Sequence, residues 1–350
     1  MSQVEILLMK SNSILKFFYF ITSIFLAYIV RKPVILCFHR VKAPSNSLLD
    51  RRVGLISPNN LRKAIRFMRI MGYEFIPLEN LVGMIEVGDF RKVAAITFDD
   101  GFKDLYQNAY PILKEINAPF TLFLTTSLVD SKYLLWLHKL YISLDKLPLR
   151  ESESILKNYS DCASNIEDMS AFIGKIIHSK DKRSIIELVA SVSRAAKIDE
   201  EDEKRLAEDL YLSSIEIKEM KTDGLTIETH GHEHWPLTNL NEKETGEEIK
   251  SSITFIKNKL DSSPEYFALP SGTSNRFMKD SATKLGLKAI VTIERKIITK
   301  ANAALYSLPR ICVFNDILDF YRVVAINMIK NIYIKNSRGW KKKPKQTQAL

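Results

Sequence analysis

The chain has 350 residues, with 51 Lys+Arg against 41 Asp+Glu, 46% hydrophobic side chains, 12 Gly, 12 Pro and three Cys. That mix excludes disordered, collagen-like and disulfide-stapled proteins, because apolar material suffices for a packed core and cysteine is too scarce to hold a small scaffold. Six of the ten net positive charges (Lys335, Arg338, Lys341, Lys342, Lys343, Lys345) follow residue 330 with no acid among them, leaving +4 for residues 1–330, so the charge marks a tail and no nucleic-acid partner is expected.

Residues 14–30 are apolar except for Lys16, Thr22 and Ser23, and are closed by Arg31 and Lys32. Seventeen residues lie at the lower edge of what spans a bilayer. No small-x-small cleavage pattern follows, so the expectation is an uncleaved anchor or interfacial helix at a membrane surface, with a helix packed on the domain as the alternative. The flanking charges balance and leave its orientation open. Cys37, Cys162 and Cys312 show no C-x-x-C spacing and read as small core residues.

From residue 33, short apolar runs alternate with amphipathic stretches. Residues 34–38 read as a buried strand. Ser57-Pro58 opens a helix in which Leu61, Ala64, Ile65 and Met68 keep helical spacing until Gly72 stops it. A strand over 93–98, a helix over about 104–116 and a strand over 120–125 follow. Residues 131–222 contain no convincing strand but show helical spacing such as Ile185, Leu188, Val189 and Val192, and read as a helical insertion. Tyr133 and Trp136 near its start offer aromatic faces to a sugar or to the core. Alternation resumes with a strand over 225–228 and a helix presenting Ile249, Ile253, Ile256 and Leu260. A strand over 266–269, a helix ending at Gly286 and a strand over 288–293 complete it.

Repeated strand–helix units predict α/β architecture with parallel strands: a deformed (β/α) barrel of about seven or eight strands with a helical insertion. The expected organisation is an anchor (1–32), a first barrel part (33–130), the insertion (131–222), a second barrel part (223–325) and a basic tail (326–350).

Two stretches carry chemistry. Thr97-Phe98-Asp99-Asp100-Gly101 closes an apolar strand. Neighbouring strand side chains point to opposite faces, so two adjacent carboxylates belong where the strand ends, and Gly101 lets the chain turn there. Glu228-Thr229-His230-Gly231-His232-Glu233-His234 places three of six histidines within five positions after another strand. His230 and His234 stand four apart, a spacing that brings two imidazoles to one ion, while His232 points elsewhere. Two imidazoles and one carboxylate leave open positions on a divalent metal, and a second carboxylate beside them serves as base. The chemistry this permits is hydrolysis of an amide or ester.

These motifs resemble the polysaccharide deacetylases of the NodB-homology type, carbohydrate esterase family 4, over roughly residues 33–130 and 223–320. The resemblance implies that Asp99 is the catalytic base and that Asp100, His230 and His234 are the ligands of a metal, expected to be Zn2+. Phe267-Ala268-Leu269-Pro270-Ser271-Gly272 is similar to the family's third motif, which places Pro270 and Ser271 at the oxyanion and substrate side. Ser271 stands where the family carries Tyr, and a backbone N–H survives that replacement. No histidine follows His234. Residues 35–41, Ile-Leu-Cys-Phe-His-Arg-Val, resemble members whose barrel is circularly permuted, which makes His39 the general acid. Leu308-Pro309-Arg310 resembles a segment of the same subgroup, with Arg310 orienting the base. Trp136 is the aromatic candidate for substrate contact.

The expected function is removal of acetyl groups, N-acetyl ahead of O-acetyl, from a polysaccharide or lipid-linked glycan of the cell envelope. The rivals are a catalytically silent glycan-binding member of the fold and an iron oxygenase using two histidines and one carboxylate.

Overall fold

Short buried strands carry the fold, as their unbroken apolar runs require. The computed structural model describes Ile21 and residues 31–159 and 169–339. In chain order, β1 (Val34–Phe38), β2 (Arg40–Val41), α1 (Leu48–Val53), β3 (Leu55–Ile56) and α2 (Pro58–Ile70) come first. Next are β4 (Glu74–Phe75), α3 (Leu78–Glu86), β5 (Val93–Asp100), α4 (Tyr110–Glu115) and β6 (Phe120–Leu124). Helices α5 (Trp136–Lys146), α6 (Leu149–Lys157), α7 (Met169–Ser179), α8 (Lys182–Ala195), α9 (Glu200–Leu210) and α10 (Ser214–Thr222) then intervene. The chain returns through β7 (Leu225–Thr229), α11 (Glu242–Leu260), β8 (Tyr266–Ala268), α12 (Met278–Lys284), β9 (Ala289–Val291), β10 (Ile311–Cys312) and α13 (Ile317–Gly339).

The strands pair in parallel in the order β10-β1-β5-β6-β7-β8-β9, with β4 also beside β5, while β2 and β3 form a separate pair. A parallel bridge from Val291 to Leu308 links β9 to the segment entering β10, so the sheet curls back towards its own edge. This is the deformed α/β barrel that the alternation predicts. Side-chain period two sorts the strands into layers. Ile35, Ala95, Phe123, Ala268, Val291 and Leu308 share one cluster with Leu81 and Val82 of α3. Leu36, Phe38, Ile96, Phe98 and Leu122 join another with Leu61, Ile65 and Met68 of α2 and Phe320 and Val324 of α13. Helix α2 starts where Ser57 accepts the Asn60 N–H and Pro58 takes the first turn.

Several boundaries differ from expectation for identifiable reasons. Strand β5 continues through both aspartates to Asp100, because β6 pairs with it as far as Asp100↔Leu124. The helix expected over 104–116 divides into a π turn, Leu105–Ala109, and α4, where Pro111 lacks the N–H and crowds the preceding turn. Strands β2, β3, β4 and β10 have two residues each, too few for a periodic signal. Helix α13 runs across the boundary expected at 325/326, so Lys335 and Arg338 belong to a helix. Residues 14–20, 22–30 and 341–345, and Cys162, lie outside the described residues. Among the described residues, no helix is long and apolar enough to cross a membrane.

Candidate active site

The functional side chains gather at the carboxyl ends of the strands, where the chain leaves regular pairing and loops can place polar groups. By alternation Asp99 shares a face with Ala95 and Thr97, and Asp100 belongs to the opposite one. Asp100 escapes that fate as the last residue of β5, with φ 75°, which swings its side chain off the strand pattern, and Gly101 follows at φ 115°. Both carboxylates are buried, at 2% and 4% exposure.

Asp100 Oδ1 lies 3.5 Å from His230 Nε2 and 3.4 Å from His234 Nε2. The ligand atoms of these three residues fall within 4.8 Å of one another, close enough to share one ion. His230 Nδ1 lies 2.9 Å from the Ala268 carbonyl, which can only accept, so Nδ1 carries the proton and Nε2 turns a bare lone pair towards the carboxylate. Burial, then the charge of Asp99, raises the Asp100 pKa well above the carboxylate range. Burial lowers the pKa of His230, and burial together with the neighbouring His230 lowers that of His234. Burial favours a proton on Asp100; with that proton displaced, three buried groups turn converging lone pairs to one point, the donor set a divalent cation satisfies, and His–His–carboxylate suits Zn2+ or another first-row metal. The residues present therefore fit a metal.

Asp99 sits in the opposite electrical environment. Arg310, wholly buried just before β10, grips it through two parallel bonds of 2.6 and 2.7 Å. The guanidinium is itself held by the Thr292 carbonyl at 3.2 Å and Thr97 Oγ1 at 3.2 Å, and stacks over Phe123. Burial pushes the Asp99 pKa up, but the Arg310 charge outweighs it and holds the carboxyl well below the usual range. His39, at the end of β1, places Nε2 3.8 Å from Asp99 Oδ2. Burial brings its pKa to about 4, against the pull of Asp99. Cys37 Sγ stands 3.6 Å from the same oxygen. Cys37, His39 and Asp99 also converge closely enough to ligate. The Arg310 guanidinium already neutralises that group, so the cation seat is the Asp100 trio.

A cavity of about 290 Å3 opens over these groups and includes His39, Asp99, Asp100, His230, His234 and Ser271 in its lining. Residues 88–290 match the family model described as Polysaccharide deacetylase. The chain belongs to the polysaccharide deacetylase family. A curated relative, the poly-beta-1,6-N-acetyl-D-glucosamine N-deacetylase of Staphylococcus epidermidis, is 28% identical over 116 residues, covering 30% of this chain and 40% of that protein. The chain thus spans under half the length of the curated relative it matches. The solved Streptococcus pyogenes deacetylase PplD in complex with acetate aligns at TM-score 0.56 and 20% identity, over 86% of this chain and 97% of that one. IcaB from Ammonifex degensii aligns at 0.55 and 17%, over 85% and 97%. At those identities the likeness speaks for the polysaccharide deacetylase fold, a parallel sheet flanked by helices.

In this deacetylase fold the third motif lies on the turn after β8. Ser271 has φ 55° and lines the cavity, and Pro270 beside it is buried. Trp136 departs from expectation: it is absent from the cavity lining, stacks on Trp235 at 4.4 Å between ring centroids and donates its indole N–H to the Glu233 carbonyl. The partly buried Trp136 ring, at the start of α5, packs on the buried Trp235 ring of the loop after β7 rather than turning into the cavity. His232 points away from the trio, with Nδ1 2.8 Å from Thr126 Oγ1.

Two supports take no role from the sequence alone. Glu248 on α11 accepts the Glu233 backbone N–H at 2.7 Å and so pins the loop holding both histidines. Arg40 bridges Asp50 and Asp104 beside Phe102, fixing the chain next to His39. These contacts join different elements, 10 and 64 residues apart for Arg40 and 15 for Glu248, which periodicity within one element cannot register.

Proposed function

We propose that this protein is a metal-dependent deacetylase that hydrolyses acetyl groups, N-acetyl ahead of O-acetyl, on an acetylated glycan. The observation that carries this reading is the contrast between adjacent aspartates, one converging with two histidines and the other neutralised by a buried arginine. Asp100, His230 and His234 would hold the cation, with Zn2+ the first candidate. A bound divalent cation supplies Lewis acidity, acidifying water and polarising a carbonyl.

Asp99, kept ionised by Arg310, accepts the proton of the attacking water as general base. His39, neutral at rest and with Nε2 3.8 Å from Asp99 Oδ2, takes up the proton that Asp99 has accepted and passes it to the departing nitrogen, releasing amine and acetate. The backbone N–H of Ser271, on the turn lining the cavity, would donate to the oxygen that gains charge in the tetrahedral intermediate. N-deacetylation is favoured over O-deacetylation by the staphylococcal relative, which is an N-deacetylase. Residues 14–30 are proposed to attach the chain to a membrane.

The test is acetate release from oligomers of β-1,6-linked N-acetylglucosamine, with and without chelator. Activity should vanish on chelation and return with Zn2+. Asp99→Asn should keep the metal, measured by atomic absorption after dialysis, while turnover falls about 10²–10⁴-fold. Full activity in that variant would remove Asp99 from the mechanism, and chelator-resistant release would remove the metal. A protein that binds the glycan yet releases no acetate when metal-loaded is the silent member of the fold.

A further inference from the structure

The mechanism leaves two buried thiols unused. Cys37 lies near the end of β1 and Cys312 ends β10. The parallel ladder sets them directly opposite one another, so their side chains leave the sheet on the same face. Neighbouring strands run about 4.8 Å apart, within the roughly 4.4–6.8 Å between Cα atoms that a disulfide accepts. Both are free thiols, and each is the other's hydrogen-bond partner. The pair carries no C-x-x-C signal because the two halves of the barrel bring it together.

These thiols sit among the reacting groups. Cys37 Sγ stands 3.6 Å from Asp99 Oδ2 and 4.0 Å from His39 Nδ1. His39 follows Cys37 by two positions and Arg310 precedes Cys312 by two, so each thiol shares its segment with one of the two side chains that flank Asp99. Access is unequal: Cys37 is wholly buried, whereas Cys312 lines the cavity beside His39 and Asp99. The bond with Cys37 lowers the Cys312 pKa against burial, and burial raises that of Cys37, which makes Cys312 the attacking thiol.

We propose that Cys37 and Cys312 form a redox modification site in the catalytic cavity, closed to a disulfide by hydrogen peroxide entering from the substrate side. The Cys312 sulfur attacks one peroxide oxygen, the O–O bond breaks, and a sulfenic acid forms with release of one water. The Cys37 sulfur then attacks the Cys312 sulfur: the S–S bond forms, the S–O bond breaks, and hydroxide leaves with the Cys37 proton as a second water. Two thiols lose two electrons and one peroxide gains them. Closing the bond draws the sulfurs to about 2.05 Å, which turns Cys37 Sγ from Asp99 and strains the strand ends that bear His39 and Arg310. A displacement of about 1 Å at reacting groups costs about 10²-fold in rate. The loss of activity rests on the deacetylase reading, whereas the disulfide does not.

The test treats the metal-loaded full chain with graded hydrogen peroxide, alkylates the remaining thiols and digests without reductant. Mass spectrometry should find the peptides of Cys37 and Cys312 joined, acetate release should fall by about tenfold or more in step with the link, and a phosphine reductant should reverse both. Cys162→Ser should respond as the parent does. Cys312→Ala, compared with its own reduced form, should form no such link and keep most of its activity. The parallel course of link and activity in the parent protein decides the matter even where that variant fails to fold. Peptides that stay unlinked at a dose that oxidises methionines overturn the proposal, as does full linkage with unchanged acetate release or an equal loss in folded Cys312→Ala. A reduced, metal-loaded protein that releases no acetate fails the deacetylase reading instead, and the link still decides the modification site.

Discussion

Arg310 shows how much one buried side chain can decide. It is fully enclosed, and its charge is balanced by the carboxylate it grips, so removing it strands Asp99 in the interior. Arg310→Met should destabilise the protein by about 3–5 kcal/mol, read by urea denaturation, and should abolish acetate release even where the variant remains folded. Arg310→Lys keeps the charge but cannot reproduce two parallel bonds, and should fall between. His138 on α5 makes a different statement. It is buried against Phe102, with Nδ1 2.9 Å from the Tyr211 hydroxyl, and burial lowers its pKa to about 3. Its folded pKa lies below the unfolded one, so the unfolded chain binds the extra proton, and stability falls as pH drops from about 6.5 towards 3. The loss should reach about 3 kcal/mol by pH 4. His138→Gln should flatten the stability-versus-pH curve over that interval, and an unchanged slope would assign the acid sensitivity elsewhere. At this scale, contiguous motifs were legible: Asp99, Asp100, His230 and His234 announce themselves by spacing. Arg310 was legible only through resemblance, because 211 residues separate it from its partner. Glu248 gave no signal, and Arg40 stood inside a recognised stretch without a role, since a helix glutamate or a strand arginine shows its part only when something packs against it.

Elements set the precision of the histidine trio. The loop after β7 carries Gly231 at φ 85° and His234 at φ 56°, and Glu248 of α11 closes on it. An added Cβ at Gly231 would stand 2.7 Å from Glu248 Oε1 as well as demanding a left-handed backbone from an L side chain. Gly231→Ala should therefore cost about 1–3 kcal/mol and weaken metal binding about 10–100-fold, measured by competition with a chromogenic chelator. Retained metal affinity would mean the loop is tuned by something other than that contact. The strands of five or more residues were readable from apolar runs, and Ser57-Pro58 marked the start of α2. The two-residue strands were not readable, because pairing at so short a length depends on neighbours rather than on period.

Across the whole molecule, the helices between β6 and β7 share a core with the barrel. Leu140, Ile173, Leu188 and Val192 belong to the same buried cluster as Ile249, Ile253, Phe267 and Ile290. A separately folded module would leave a polar seam there. We expect one cooperative calorimetric transition with equal calorimetric and van't Hoff enthalpies, and two resolved transitions would show the segment to be autonomous. The barrel class followed from strand–helix rhythm, but the shared core did not, because apolar spacing tells which face of a helix is buried and not what buries it.

The partnering of β5 has one more consequence. Five ladder positions with β1 and five with β6 hold it in register from both sides. Sliding it by a single position would exchange the neighbours of its two terminal acids, offering the guanidinium to the wrong one and emptying the place opposite the imidazoles. The division of labour between two chemically identical side chains is thus written in hydrogen bonds along the sheet, far more durable than any loop, which leaves the surrounding rim free to change its taste in sugars without disturbing the reaction.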